Sequence, residues 1–228
     1  MQNILITGAS RGIGLGLAQA YLNSGARVHA VVRNADSPAL RQLQQTHHDR
    51  LHLIACDLNH DDAAAQITQA LNGQSLDIAI FNAGIMGPSH QDVARASPSE
   101  IAELFLCNAI APLRLARQLA AQVVEGGVLA FMSSQMGSVQ LARASDMPLY
   151  GASKAALNSL LRSWSEAEDR PAASLLALHP GWVRTDMGGS AADLDVATSA
   201  AGLVATIASQ LGTRNCLFLD YQQQPLAW

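Results

Sequence analysis

The sequence predicts an α/β fold in which a doubly wound, mostly parallel sheet carries helices on both faces. Short apolar runs alternate with helix-sized segments along the whole chain, which is the pattern of such folds. The runs show no polar/apolar alternation, which indicates strands covered on both faces. Of the 228 residues, 49% are hydrophobic and only 14% are charged. No composition break interrupts the chain, so we predict one domain spanning residues 1–228.

Seven apolar runs have the length of strands: Asn3–Ile6, Arg27–Val32, Leu51–Ala55, Asp77–Phe81, Gly127–Met132, Ser174–Leu178 and Cys216–Leu219. The predicted helices between them are Gly12–Asn23, Pro38–Thr46, Asp61–Leu71, Pro98–Val124, Leu149–Ala167 and Val196–Gln210. The fourth helix has the clearest start, because Ser97 is a cap residue followed by Pro98 at the first helical position and Glu100 at the third. This spacing predicts a capping box.

Charge and composition argue against several classes of protein. The net charge is −4 and no basic stripe is present, so we expect no nucleic-acid partner. No apolar run approaches the roughly 18 residues of a membrane span, and the N-terminus lacks the charged region of a signal peptide. The three cysteines form no CxxC pair, and the histidines lack metal-ligand spacing. We therefore predict a cytoplasmic protein with no metal site and no membrane association.

A glycine-rich turn follows the first predicted strand and opens the first helix. Its glycines are spaced GxxxGxG, which lets the backbone approach a pyrophosphate at the helix N-terminus. The strand–turn–helix context predicts a dinucleotide-binding loop. The candidate cofactor-binding residues of this loop are Gly8, Ser10, Arg11, Gly12, Ile13 and Gly14.

The end of the second strand indicates which dinucleotide is bound. NAD enzymes place an acidic residue there for the ribose hydroxyls, but this chain has Val32 followed by Arg33. The planar guanidinium of Arg33, with that of Arg11, would suit a 2′-phosphate. Asp36 is the rival acid for NAD(H), although it is more simply a loop or cap residue. The sequence therefore favours NADP(H).

Several ordered motifs together resemble the short-chain dehydrogenases/reductases, whose members have a single-domain Rossmann fold. The motifs are Thr7–Gly14, Asn82-Ala83-Gly84, Ser134, Tyr150-Gly151-Ala152-Ser153-Lys154 and Pro180–Thr185. The segment His179–Gly189 and the C-terminal residues are further similar to the carbonyl-reductase-like branch that includes the C-factor (C-signal) and sniffer proteins.

This resemblance implies roles for individual residues. Those matching the catalytic tetrad are Asn108, Ser134, Tyr150 and Lys154. Tyr150 and Lys154 also belong to the implied cofactor contacts, together with Asp57 and Leu58 at the adenine, Asn82, Ala83 and Gly84 on the adenosine side, and Pro180, Gly181, Val183 and Thr185 near the nicotinamide.

The Tyr150–Lys154 pair suits proton transfer to a carbonyl oxygen. A free tyrosine has a pKa near 10, and a nearby cation is expected to lower the pKa of Tyr150. Lys154 follows four residues later, on the same helical face, and is the chain's sole lysine. Ser134 would stabilise charge on the substrate oxygen, with Ser133 as the alternative. Asn108 would hold a water that relays protons to Lys154, unless it is only a helix kink or a buried amide.

Three features depart from the family pattern. Phe81 stands where many relatives have asparagine, the loop Gly137–Leu149 carries extra residues, and the segment after Thr185 is short. These departures leave the identity of the substrate undetermined, but they do not change the predicted reaction class.

We predict an NADP(H)-dependent oxidoreductase acting on a small carbonyl or alcohol. A dinucleotide-binding sensor without turnover is the alternative. Relatives associate through their long helices, which here correspond to Pro98–Val124 and Leu149–Ala167. The resemblance therefore implies a homodimer or homotetramer.

Overall fold

The computed structural model describes residues 1–141 and 145–228. Its strands are β1 (Asn3–Thr7), β2 (Arg27–Val32), β3 (Leu51–Ala55), β4 (Leu76–Phe81), β5 (Val123–Met132), β6 (Ser174–His179) and β7 (Cys216–Asp220). Its α-helices are α1 (Gly12–Asn23), α2 (Pro38–Thr46), α3 (Ala63–Leu71), α4 (Pro98–Phe105), α5 (Ala111–Leu119), α6 (Pro148–Ser165) and α7 (Val196–Ala208). Among the described helices, none is long and apolar enough to cross a membrane.

The seven strands form one sheet in the order β3-β2-β1-β4-β5-β6-β7. All pairings between neighbouring strands are parallel. The chain builds outward from β1 to β3 and then returns to add β4 on the other side of β1. Loops on the two sides of this reversal diverge, which leaves a crevice at the carboxyl ends of β1 and β4.

Two apolar layers cover the sheet. One contains Leu17 of α1, Leu40 of α2 and Leu203 of α7, and the other contains Ile67 of α3 and Leu157 of α6. All five side chains are essentially inaccessible to solvent. The predicted doubly wound sheet with helices on both faces is therefore confirmed.

The predicted helix Pro98–Val124 is not one continuous α-helix, and its end at Val124 is wrong. A π-helical turn occupies Leu106–Ile110, α5 follows, and a 3₁₀ turn leads into β5 at Val123. β5 therefore starts earlier than predicted, with Val123 paired to Leu76 of β4. The consecutive valines Val123 and Val124 are β-branched and favour a strand over a helix end. The Ser97–Glu100 capping box is present as predicted.

The other predicted elements agree with the structure to within two residues at either end. The predicted loop Gly137–Leu149 falls partly outside the described residues, because 142–144 are not described.

Candidate active site

A cavity of about 1010 Å³ lies at the carboxyl ends of the strands, where the strand order reverses. It is at the upper end of the roughly 300–1,000 Å³ range of small-molecule and cofactor pockets. The sequence-predicted residues that line it are Gly8, Ser10, Arg11, Gly12, Ile13, Arg33, Asp57, Leu58, Asn82, Ala83, Gly84, Ser134, Tyr150, Lys154, Pro180, Gly181, Val183 and Thr185. The fold thus gathers 18 of the 20 predicted site residues around one cavity.

The glycine-rich loop is fastened to the end of β4. Gly8 has a left-handed φ of 68°, and a Cβ there would lie 2.9 Å from Ala83 Cα, so the position requires glycine. Thr7 Oγ1 accepts the N–H of Asn82 at 3.0 Å, and Asn82 Nδ2 donates to the Thr7 carbonyl at 3.1 Å. Gly14 does not line the cavity, because it packs behind the loop, where a Cβ would lie 2.6 Å from Asn82 Nδ2. Its contribution is therefore close packing.

Two exposed guanidinium groups belong to the cavity lining beside the glycine-rich loop. Arg33 forms no ion pair with any residue that the structure describes, whereas Arg11 pairs with Asp186. The rival acid Asp36 is engaged outside this cavity, because its carboxylate pairs with Arg41 at 2.7 Å. This end of the cavity therefore offers positive charge where an NAD enzyme offers an acid.

The π-helical turn Leu106–Ile110 positions Asn108 behind the cavity wall. Asn108 is buried, and its Nδ2 donates to the Ile85 carbonyl at 2.8 Å and to Ser153 Oγ at 3.0 Å. Its Oδ1 accepts the Ile85 N–H at 2.8 Å. A π turn shifts the register of a helix and is frequent at functional sites. Here the side-chain amide of Asn108 joins the segment after β4 to α6. The structure therefore contains both structural alternatives for Asn108, a helix irregularity and a buried amide.

The two serines after β5 have different environments. Ser133 Oγ donates to Asn158 Oδ1 at 2.7 Å, within the protein interior. Ser134 Oγ instead accepts the N–H of Met136 at 3.2 Å, and among the described residues its own hydrogen has no recorded acceptor. Ser134 is therefore the hydroxyl that can donate to a ligand in the cavity.

Tyr150 and Lys154 lie one turn apart on α6 with their side chains together. Lys154 Nζ is 5.7 Å from the centroid of the Tyr150 ring and donates to the Met132 carbonyl at 2.8 Å. The 3₁₀ turn Gln135–Gly137 packs directly on α6, since a Cβ on Gly137 would lie 2.9 Å from Lys154 Cβ. Ser134, which caps this turn, lines the same cavity as the Tyr150–Lys154 pair.

Burial dominates the ionisation of this pair. It raises the pKa of the Tyr150 phenol to about 12 and lowers the pKa of the Lys154 ammonium to about 8. The expected lowering of the Tyr150 pKa is therefore wrong in this structure, because removal of the phenol from water outweighs the effect of the lysine. At neutral pH the pair is a neutral phenol beside an ammonium ion.

The segment after β6 closes one side of the cavity. Thr185 Oγ1 accepts the Gly188 N–H at 3.0 Å, and Trp182 Nε1 donates to the Gly188 carbonyl at 2.8 Å. These hydrogen bonds fold the short segment after Thr185 into a compact turn. The ion pair between Asp186 and Arg11 joins this turn to the glycine-rich loop.

Sequence reasoning missed several residues that line the cavity and one, Gln91, that bonds to lining residues from behind. His179 lines it at the end of β6, and burial lowers the pKa of His179 to about 4. Gln91 accepts the backbone N–H of Tyr150 at 2.9 Å from 59 positions away. Of the chain's six methionines, five line the cavity: Met86, Met132, Met136, Met147 and Met187. No short-range pattern marks any of these residues.

Within the described part of the chain, no group of three His, Cys, Asp or Glu side chains could hold a metal ion.

Comparison with known proteins identifies the family. The family model described as short chain dehydrogenase matches residues 2–195. A carbonyl reductase from Pseudomonas aeruginosa PAO1, solved in complex with NADP, is 56% identical with a TM-score of 0.94, and 100% of each chain is covered. The carbonyl reductase Sniffer of D. melanogaster is 34% identical with a TM-score of 0.84, again covering 100% of each chain.

Among curated proteins, the C-signal of Myxococcus xanthus is 35% identical over 158 residues, which is 67% of this chain and 93% of that protein. The resemblance to the carbonyl-reductase-like branch is thereby confirmed, and the chain belongs to the short-chain dehydrogenase family.

Proposed function

We propose that the chain is an NADP(H)-dependent oxidoreductase that transfers a hydride between nicotinamide and a carbonyl or alcohol substrate. The observation that carries this proposal is the convergence of Ser134, Tyr150 and Lys154 on the cavity that the glycine-rich loop also lines. Family membership and the similar carbonyl reductase in complex with NADP support it. A sensor without turnover has no need of a tyrosine that lines the cavity beside a buried lysine, so this pair disfavours the alternative.

The residues of the cavity fit a dinucleotide with a 2′-phosphate. The glycine-rich loop and the N-terminus of α1 present backbone N–H groups for the pyrophosphate. Arg11 and Arg33 would bind the 2′-phosphate, which would compete with Asp186 for Arg11. The further proposed contacts are Asp57 and Leu58 with the adenine, Asn82, Ala83 and Gly84 on the adenosine side, and Val183 and Thr185, after Pro180 and Gly181, with the nicotinamide.

The protein would supply the proton and the charge stabilisation. NADPH provides the hydride when bound. The phenol of Tyr150 would donate its proton to the carbonyl oxygen, and Ser134 Oγ would donate a hydrogen bond to the same oxygen. The ammonium of Lys154, close to the ring, would stabilise the phenolate that remains.

Asn108 is proposed to order the water that relays protons to Lys154. Both hydrogens of its Nδ2 are donated within the protein, to Ile85 and Ser153. A relay water would therefore bind to a carbonyl oxygen of Asn108 and not to its N–H groups.

The methionines suggest the substrate class. Met86, Met136 and Met147 line the cavity, as do the exposed Trp182 and Met187. Methionine side chains are flexible and polarisable, so they adapt to apolar ligands of differing shape. We propose that the substrates are apolar carbonyl compounds and that the enzyme accepts several of them.

Assembly and location remain proposals of their own. We propose a homodimer or homotetramer formed through α4, α5 and α6, because Ile110, in the π-helical turn between α4 and α5, leaves 45% of its surface exposed. A cytoplasmic location is proposed from the cysteines Cys56, Cys107 and Cys216, all of which are free thiols. Light scattering of the purified protein would test the assembly.

The function is tested by fluorescence titration with NADPH and NADH, followed by a panel of apolar aldehydes and ketones at saturating cofactor. We expect tighter binding of NADPH and steady NADPH consumption with members of the panel. Tight NADPH binding without consumption would support the sensor alternative and contradict the proposal.

A further inference from the structure

Gln91 lies in the long connection between β4 and α4 in an unusual conformation. Its backbone has a left-handed φ of 50°, and only 6% of its surface is exposed. Residues other than glycine rarely adopt this region, and they persist there when the surrounding contacts require it. A buried, left-handed glutamine therefore indicates a side chain held for its contacts.

Those contacts use the whole side-chain amide. Gln91 Nε2 donates to the carbonyls of Met86 and Pro88, each at 2.9 Å, and Oε1 accepts the Tyr150 N–H at 2.9 Å. Two carbonyls face the nitrogen and one N–H faces the oxygen, so the orientation of the amide is determined by its partners.

The hydrogen bond from the Tyr150 N–H to Gln91 supplies a capping interaction that the N-terminus of α6 lacks. The first N–H groups of a helix have no partner within the helix. Met147, at the N-cap position of α6, makes no side-chain capping bond. Gln91 satisfies the N–H of Tyr150 in its place.

The same connection is tied to a second tetrad residue. Ile85 exchanges two backbone hydrogen bonds with the Asn108 side chain. The segment Ile85–Gln91 is thus attached to Asn108 at one end and to Tyr150 at the other. Met86, between these attachments, lines the cavity. One short segment therefore links the cavity wall to two members of the tetrad.

We propose that Gln91 is a positioning residue for the reaction, which sets the first turn of α6, and with it the Tyr150 ring, relative to Ser134 and Met86. This inference rests on the proposed function. A displacement of the phenol by about 1 Å is enough to cost up to roughly 100-fold in rate, whereas most of the proposed cofactor contacts come from other segments that line the cavity. Loss of Gln91 should therefore reduce kcat far more than it changes the Kd for NADPH.

The test uses Gln91→Met, which keeps the length of the side chain but makes no hydrogen bond. Gln223→Met is the matched control, because Gln223 has the same residue type and a left-handed φ of 67° but is exposed and outside the cavity lining. At saturating NADPH and 25 °C, we expect kcat to fall about tenfold or more in Gln91→Met. The control should retain the kcat of the unmodified protein.

Gln91→Glu provides a second readout that a purely structural role would not give. A protonated carboxyl can accept the Tyr150 N–H and donate to one of the two carbonyls, whereas a carboxylate cannot donate. The kcat of Gln91→Glu relative to the unmodified enzyme should therefore rise as the pH falls from 8 to 5. Gln91→Met has no such titration, so its relative kcat should stay low and flat.

The outcomes separate this inference from the proposed function. If the unmodified protein consumes no NADPH with any carbonyl on the panel, the proposed function and this inference both fail. If it turns over and Gln91→Met stays within twofold of the control in kcat, the inference alone is overturned. Should Gln91→Met not fold, a pH-independent kcat ratio for Gln91→Glu would overturn it equally.

Discussion

The two ends of the cavity differ in how much of their arrangement local sequence encodes. At the glycine-rich loop, the spacing of the glycines and the left-handed φ of Gly8 are local features, and the bonds between Thr7 and Asn82, 75 positions apart, only fasten the finished loop to β4. Around Tyr150, side chains bond to backbone groups that lie 23 and 59 positions away. The dinucleotide end can thus be recognised from local sequence, whereas the positioning of the catalytic end depends on long-range contacts. Changes at the first should alter binding, and changes at the second should alter the rate.

Three predictions compare the two ends of the cavity with the rest of the molecule. The largest effect among them is expected in the pH dependence of carbonyl reduction at the catalytic end. Burial lowers the pKa of Lys154 to about 8, so the ammonium is present at pH 7 and is lost above pH 8. Without its positive charge the phenolate of Tyr150 is less stable, and kcat for carbonyl reduction should fall about tenfold per pH unit above 8. Stopped-flow measurements at saturating NADPH would show this.

The Kd for NADPH and the unfolding temperature at each pH serve as controls for that profile. A constant kcat from pH 7 to 10, with the protein folded, would show that the charge of Lys154 does not support the reaction.

A smaller effect is expected at the dinucleotide end from Arg33→Ala. Loss of one charge-assisted hydrogen-bonding group should weaken NADPH binding about tenfold. NADH has no 2′-phosphate, so its Kd should not change. The control is Arg41→Ala, because Arg41 pairs with Asp36 and does not line the cavity. Equal weakening of both dinucleotides, measured by fluorescence titration, would argue against a 2′-phosphate site at Arg33.

The smallest effect is expected outside both ends, at the start of α4. Ser97→Ala removes a cap in which Ser97 Oγ accepts the Glu100 N–H at 3.3 Å. This should cost about 1 kcal/mol of the free energy of unfolding, or roughly 2–4 °C in Tm. Ser37→Ala is the comparison, since Ser37 occupies an N-cap without a side-chain capping bond, and its Oγ donates only a long bond, of 3.3 Å, to the Ser10 carbonyl. If Ser97→Ala changed kcat, the separation of this helix start from the site would be wrong.

Local patterns explain which features the sequence could predict. The parallel sheet, the glycine-rich loop and the Tyr150–Lys154 pair are all encoded in short stretches, and the structure contains each of them. The π-helical turn at Asn108 depends on contacts with Ile85 and Ser153, so a helical pattern alone predicted an uninterrupted helix.

Two further features depend on the folded environment alone. The pKa of Tyr150 is raised because the fold removes the phenol from water, which sequence spacing does not reveal. Gln91 lies 59 positions from the N–H that it accepts, in a stretch with no periodic pattern. The chemistry was therefore predictable from the sequence, and the means of its positioning was not.

The central claim is that the phenol of Tyr150 delivers the proton to the substrate oxygen, and a single-turnover experiment on Tyr150→Phe tests it most directly. NADPH is bound first, a reactive apolar aldehyde is mixed in, and the decay of NADPH fluorescence is followed at pH 7. We expect the bound NADPH signal to match that of the unmodified enzyme while the decay slows about 100-fold or more. An unchanged decay rate would contradict the claim.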